Sequence, residues 1–80
     1  METEAVARMI RDGMPGSKVT VTGDGSHFDA LVISDAFAGK TPIQKQRMVL
    51  ATVRSQIEAG DLHALSIKTF TPEEWAEQGA

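Results

Sequence analysis

Eighty residues, 41% hydrophobic and 24% charged, allow one domain around one small core. The chain has no cysteine, which excludes a disulfide framework and any self-contained thiolate metal site, and its net charge of −3 does not favour long-range attraction to nucleic acid or an anionic membrane. No apolar run approaches a bilayer span, and the acidic start Met1-Glu2-Thr3-Glu4 lacks the basic and apolar regions of a signal peptide, so a cytoplasmic protein without membrane contact is expected.

Glu2 to Asp12 is expected to form a first helix, with Val6, Met9 and Ile10 on one stripe and Gly13, Pro15 and Gly16 ending it. Lys18 to Thr22 reads as a short strand with Val19 and Val21 on one face. Gly23-Asp24-Gly25-Ser26 is a turn, since two glycines tolerate positive φ, and His27 to Ser34 is the return strand of a hairpin. Asp35 to Lys40 makes a compact connection. Thr41-Pro42-Ile43-Gln44 then starts a long helix with three agreeing signals: Thr41 as N-cap, proline at N1 and glutamine where a capping box needs it. Val49, Leu50, Val53 and Ile57 are expected to be its core stripe, and Gly60 its C′ residue. Leu65 to Phe70 is a third strand. Thr71-Pro72-Glu73-Glu74 repeats the capping formula and opens a short last helix carrying Trp75.

The order αββαβα predicts a two-layer α+β domain with a three-stranded mixed sheet. The second and third strands flank a crossover helix, so they should run parallel, with a right-handed connection. That topology gives the two histidines a reason to meet. His27 opens the second strand and His63 lies just before the third, and parallel strands start at the same end of a sheet. Neighbouring strands lie about 4.8 Å apart, so both imidazoles should project from one edge within reach of a shared ion or cluster. Two imidazoles are an incomplete site, because a structural zinc wants four protein ligands. Asp24, Asp29 and Asp61 are near in sequence but are equally well explained as turn or edge residues. Histidines in turns are also ordinary polar loop residues, and the residues alone leave both readings open.

The run His63-Ala64-Leu65-Ser66-Ile67-Lys68-Thr69-Phe70-Thr71-Pro72-Glu73-Glu74-Trp75 closely resembles the terminal signature of the BolA family. So does Val32-Ile33-Ser34-Asp35-Ala36-Phe37-Ala38-Gly39-Lys40. Gly23-Asp24-Gly25-Ser26-His27-Phe28 is similar to the branch with histidine in this loop, the small bacterial IbaG/YrbA-type proteins. The resemblance covers nearly the whole chain, so residues 1–80 are expected to be one BolA-like domain with a fold similar to a class II KH domain. It implies a partner, a monothiol CGFS-type glutaredoxin with glutathione, and a [2Fe–2S] cluster bridged between the two proteins. The partner's cysteine and a glutathione thiol would supply sulfur, while His63 and His27 match the family's ligand positions. Such a role suits a cysteine-free chain, which must borrow its thiolates. Imidazole ligation would raise the cluster potential and make binding sensitive to protonation. The reading is of an adaptor in iron–sulfur cluster assembly, trafficking or iron sensing, and it leaves open a homodimer of the isolated chain. One departure from the pattern is Lys45-Gln46-Arg47, where many relatives carry Arg-His-Arg. It leaves two histidine candidates.

The alternative is a nucleic-acid-binding transcriptional regulator. Between Ala36 and Ile57 every formal charge is positive: Lys40, Lys45, Arg47 and Arg54. Arg47 and Arg54 are seven apart and nearly share a helix face, while Lys45 points elsewhere. The bland explanation is the solvated side of an amphipathic helix. Gly13-Met14-Pro15-Gly16 spells GxxG but lies between a helix and a strand and contains no basic residue, so it reads as a turn. An enzyme is not expected, because Ser26 beside His27 lacks the third group of a triad and Glu73 and Glu74 serve a helix N-terminus.

Overall fold

The computed structural model describes residues 1–79. Helix α1 spans Thr3–Gly13, strands β1 and β2 span Lys18–Gly23 and His27–Ile33, helix α2 spans Pro42–Glu58, strand β3 spans Ala64–Phe70 and helix α3 spans Pro72–Gln78. A single 3-10 turn, Asp35–Phe37, forms the compact connection after β2 and buries Phe37 completely.

The sheet has the order β1-β2-β3, antiparallel across the hairpin and parallel across the crossover. The α+β class and mixed sheet expected from the sequence are therefore present. Phe28, Ala30 and Val32 alternate along β2 onto one face, where they meet Val6 and Ile10 of α1 and Val49 and Val53 of α2. Met14 also joins this core, so the GxxG segment is a turn with one side chain folded inward. The opposite face of the sheet is open except at one end, where Trp75 of α3 leans on Phe70 with ring centroids 5.3 Å apart.

Both long-range helix starts follow from local chemistry. Thr41 accepts from the Gln44 N–H while Gln44 accepts from the Thr41 N–H, and Thr71 and Glu74 repeat the arrangement. After α2 the chain turns through Gly60 at φ +81°, a conformation that a side chain resists.

One expectation is corrected. Val49 and Val53 are fully buried, but Leu50 and Ile57, expected on the same stripe, are 36% and 41% exposed. At 100° per residue, Leu50 and Ile57 lie about 80° and 60° round the helix from the midpoint between Val49 and Val53. The sheet has three strands, and α1 occupies part of its covered face. On the α1 side the approach is close: a Cβ on Gly13 would stand 2.6 Å from Thr52 Cγ2. On the other side Gln46 donates to the Ile67 carbonyl at 3.0 Å. The Phe70 carbonyl accepts from the Ser34 N–H, so even-numbered residues of β3 face β2 and the Ile67 carbonyl points off the free edge. Leu50 and Ile57 hang beyond that edge, where the sheet has ended.

Candidate metal-ligand site

His27 is the first residue of β2 and its side chain is exposed. The loop before it is organised by one carboxylate. Asp24 accepts from the backbone N–H groups of His27 and Ser26, both at 2.9 Å. These bonds, His27 first and Ser26 second, hold the Asp24 carboxyl below its ordinary range. Asp24 is thus a loop-forming residue, one of the two roles the sequence left open for it.

His63 is reached differently. The N–H groups of Asp61 and Leu62 both donate to the Gln56 carbonyl, at 3.0 and 3.3 Å, closing the chain against the end of α2. Leu62 then plunges into the core at 2% exposure, and His63 follows it into solvent immediately before β3. Leu62 carries no sequence signature of a core residue. It stands alone, outside any periodic run, so no pattern announces it.

The register brings the two histidines to one end of the sheet. His27 pairs with Ala64, so His63 lies one strand across and one residue further out. One strand spacing and one residue of rise separate the two backbone positions by about 6 Å. The pleat places His27 on the open face, opposite Phe28. His63 lies just outside β3, where the pleat does not fix its side. Among the described residues neither imidazole has a hydrogen-bond partner, and no group of three or more histidine, aspartate and glutamate side chains converges on a metal position. Asp24, Asp29 and Asp61 therefore do not complete a ligand set within the chain. The available donors are two exposed imidazoles, too few for a closed structural zinc, which takes four protein ligands.

The open face carries a shallow groove of about 660 Å³ lined by Thr20, Asp29, Ser66, Lys68, Phe70 and Trp75 among others. It ends one register row short of His27 and holds no further metal-ligand geometry.

The four basic residues do not form one patch. Lys45 is half-buried, with Nζ 4.0 Å from Glu74 at the start of α3. Arg47 and Arg54 are exposed on the far side of α2, and Lys40 stands in the loop before it. Gln46, where the resembling pattern has histidine, is spent on the Ile67 carbonyl.

The family model described as BolA-like protein matches residues 7–74. The chain is 34% identical over 76 residues to the acid stress protein IbaG of Escherichia coli strain K12, covering 95% of this chain and 90% of that one. It is 40% identical over 55 residues to the DNA-binding transcriptional regulator BolA of Vibrio cholerae, covering 69% of this chain and 51% of that one. Among solved structures, a bolA protein homologue from Coxiella burnetii matches with a TM-score of 0.87 at 36% identity, covering 95% of this chain and 97% of that one.

Proposed function

The chain belongs to the BolA-like protein family, in keeping with its IbaG-type branch, and from that premise we propose that it is a non-enzymatic cytoplasmic adaptor in iron–sulfur cluster assembly, trafficking or iron sensing. It holds a [2Fe–2S] cluster jointly with a monothiol glutaredoxin and glutathione. The observation that supports this reading most is the parallel register of His27 with Ala64, which sets His63 and His27 at the same end of adjacent strands.

The chemistry of the donors agrees. Neutral imidazoles are good iron ligands, and each that replaces a thiolate removes one negative charge and raises the cluster potential. The remaining two ligands must be thiolates, and the chain has no cysteine to provide them. His63 and His27 hold their side of the centre by direct nitrogen ligation, with the loop hydrogen bonds of Asp24 orienting the backbone at His27.

The test is to mix the protein with cluster-loaded monothiol glutaredoxin and glutathione and to record visible absorption and circular dichroism. The expected result is a new heterodimer spectrum that His63→Ala changes strongly and His27→Ala changes less. A heterodimer spectrum indifferent to His63→Ala overturns the ligand assignment.

A second reading is favoured by one observation each from structure and comparison. Arg47 and Arg54 are exposed without an ion pair among the described residues, and one relative is named as a DNA-binding transcriptional regulator. If this chain binds DNA through α2, affinity will fall steeply with salt and will fall further in Arg47→Gln/Arg54→Gln. Binding indifferent to that double change removes these residues from the interface.

A further inference from the structure

Three large aliphatic side chains stand in solvent on α2: Ile43 at 64%, Leu50 at 36% and Ile57 at 41% exposure. They are seven residues apart, so successive members drift by about 20° and all three fall within about 40° of one another. At 1.5 Å per residue the stripe is about 21 Å long. Single exposed aliphatics are ordinary, but a straight row of three along one helix is an interaction signal. The row runs beyond the free edge of β3, on the side marked by the bond from Gln46 to Ile67.

Charge identifies what would cover it. Arg47 follows Ile43 by four residues and Arg54 follows Leu50 by four, so both guanidinium groups border the row on its solvent side. Both are exposed, and no carboxylate among the described residues lies within 4.0 Å of either. Exposed Glu58 follows Arg54 by four at the end of the row, so the positive charge of the strip is concentrated from Arg47 to Arg54, in a chain whose net charge is −3.

We propose that the stripe docks an acidic amphipathic helix of another protein, with aliphatic side chains repeating along one face and carboxylates placed for Arg47 and Arg54. A second copy of this chain is a worse fit. Antiparallel pairing about Leu50 would set Ile43 against Ile57, but it would also bring Arg47 of each copy beside Arg54 of the other, with like charges opposed. Nucleic acid would use the two arginines and gain nothing from three aliphatic side chains. The inference is independent of the cluster reading, since it uses neither histidine.

The probe is a synthetic helical peptide of 18 residues with leucines along one face and glutamates flanking them, titrated into the full ¹⁵N-labelled chain. Controls are the same peptide with every glutamate replaced by lysine, and a short DNA duplex. The expected result is amide shifts along α2 from Ile43 to Ile57 with the acidic peptide. Its Kd should rise at least tenfold in Leu50→Gln and in Arg47→Glu/Arg54→Glu. Ile43→Gln, at the most exposed of the three positions, repeats the test should Leu50→Gln fold poorly. Four outcomes overturn the proposal: α2 amides unmoved by the acidic peptide, equal binding of the lysine peptide, DNA shifting these amides where the acidic peptide does not, or a dimer of the chain alone that Leu50→Gln dissociates.

Discussion

The connection into His27 consists of Asp24–Ser26 and is organised by one exposed carboxylate, whereas the connection into His63 is organised by a buried leucine and a left-handed glycine. Displacing His63 means withdrawing Leu62 from the core or reopening the turn at Gly60. Displacing His27 means breaking the Asp24 carboxylate's bonds to the loop, the bond from the Asp24 N–H to the His27 carbonyl and the pairing of His27 with Ala64, beside buried Phe28; of these, only the carboxylate bonds are ones that water replaces at little cost. Each histidine thus stands beside a buried residue, Leu62 before His63 and Phe28 after His27, and the two differ in the connection that leads in: core and glycine on one side, a surface carboxylate on the other. If the two histidines serve as proposed above, the Asp24–Ser26 side of His27 is where the site can adapt to a partner, while the His63 side stays fixed by the core.

The comparison can be broken most directly at Leu62. Leu62→Ala removes a nearly fully buried side chain and should cost about 2–5 kcal/mol in urea denaturation, with faster amide exchange through residues 60–64. A loss well under about 1 kcal/mol would mean that the core does not anchor His63. Gly60→Ala is the next largest effect. At φ +81° the added Cβ should cost about 1 kcal/mol, again read from urea denaturation. Equal stability in the variant would show that the turn relaxes freely and that the two connections differ less than their contacts suggest.

Much of this arrangement was legible in the chain itself. Thr41-Pro42-Ile43-Gln44 and Thr71-Pro72-Glu73-Glu74 announce their helices because capping is local chemistry, satisfied by residues three apart. The parallel pairing was legible because a crossover helix between two strands leaves little other choice, and with it came both histidine positions. The limits of the α2 core stripe were not legible. Val49 and Leu50 are both aliphatic, and only the width of the sheet and the space taken by α1 decide that one is buried and the other exposed. Asp24 was recognisable as a turn residue, but its two bonds to the hairpin backbone depend on three-dimensional placement. Periodicity reports which residues could be inside; it does not report how much inside there is.

The smallest expected effect concerns the connection into His27. The Asp24 carboxyl lies below its ordinary value of 3.8 because the N–H groups of His27 and Ser26 donate to its charged form. Since the folded value is the lower one, the carboxylate's contribution to the loop is complete above the ordinary value and is lost as pH falls through the depressed one. The hairpin loop should therefore stay closed at neutral and mildly acidic pH and loosen only in stronger acid. Amide shifts of Ser26 and His27 should follow a single titration with its midpoint below 3.8, and Asp24→Asn, which keeps an acceptor oxygen, should abolish that titration while leaving the loop closed. A midpoint at or above the ordinary value would show that these two bonds do not organise the loop. With the expected midpoint, any change at His27 between pH 5 and pH 8 cannot come from opening of this loop.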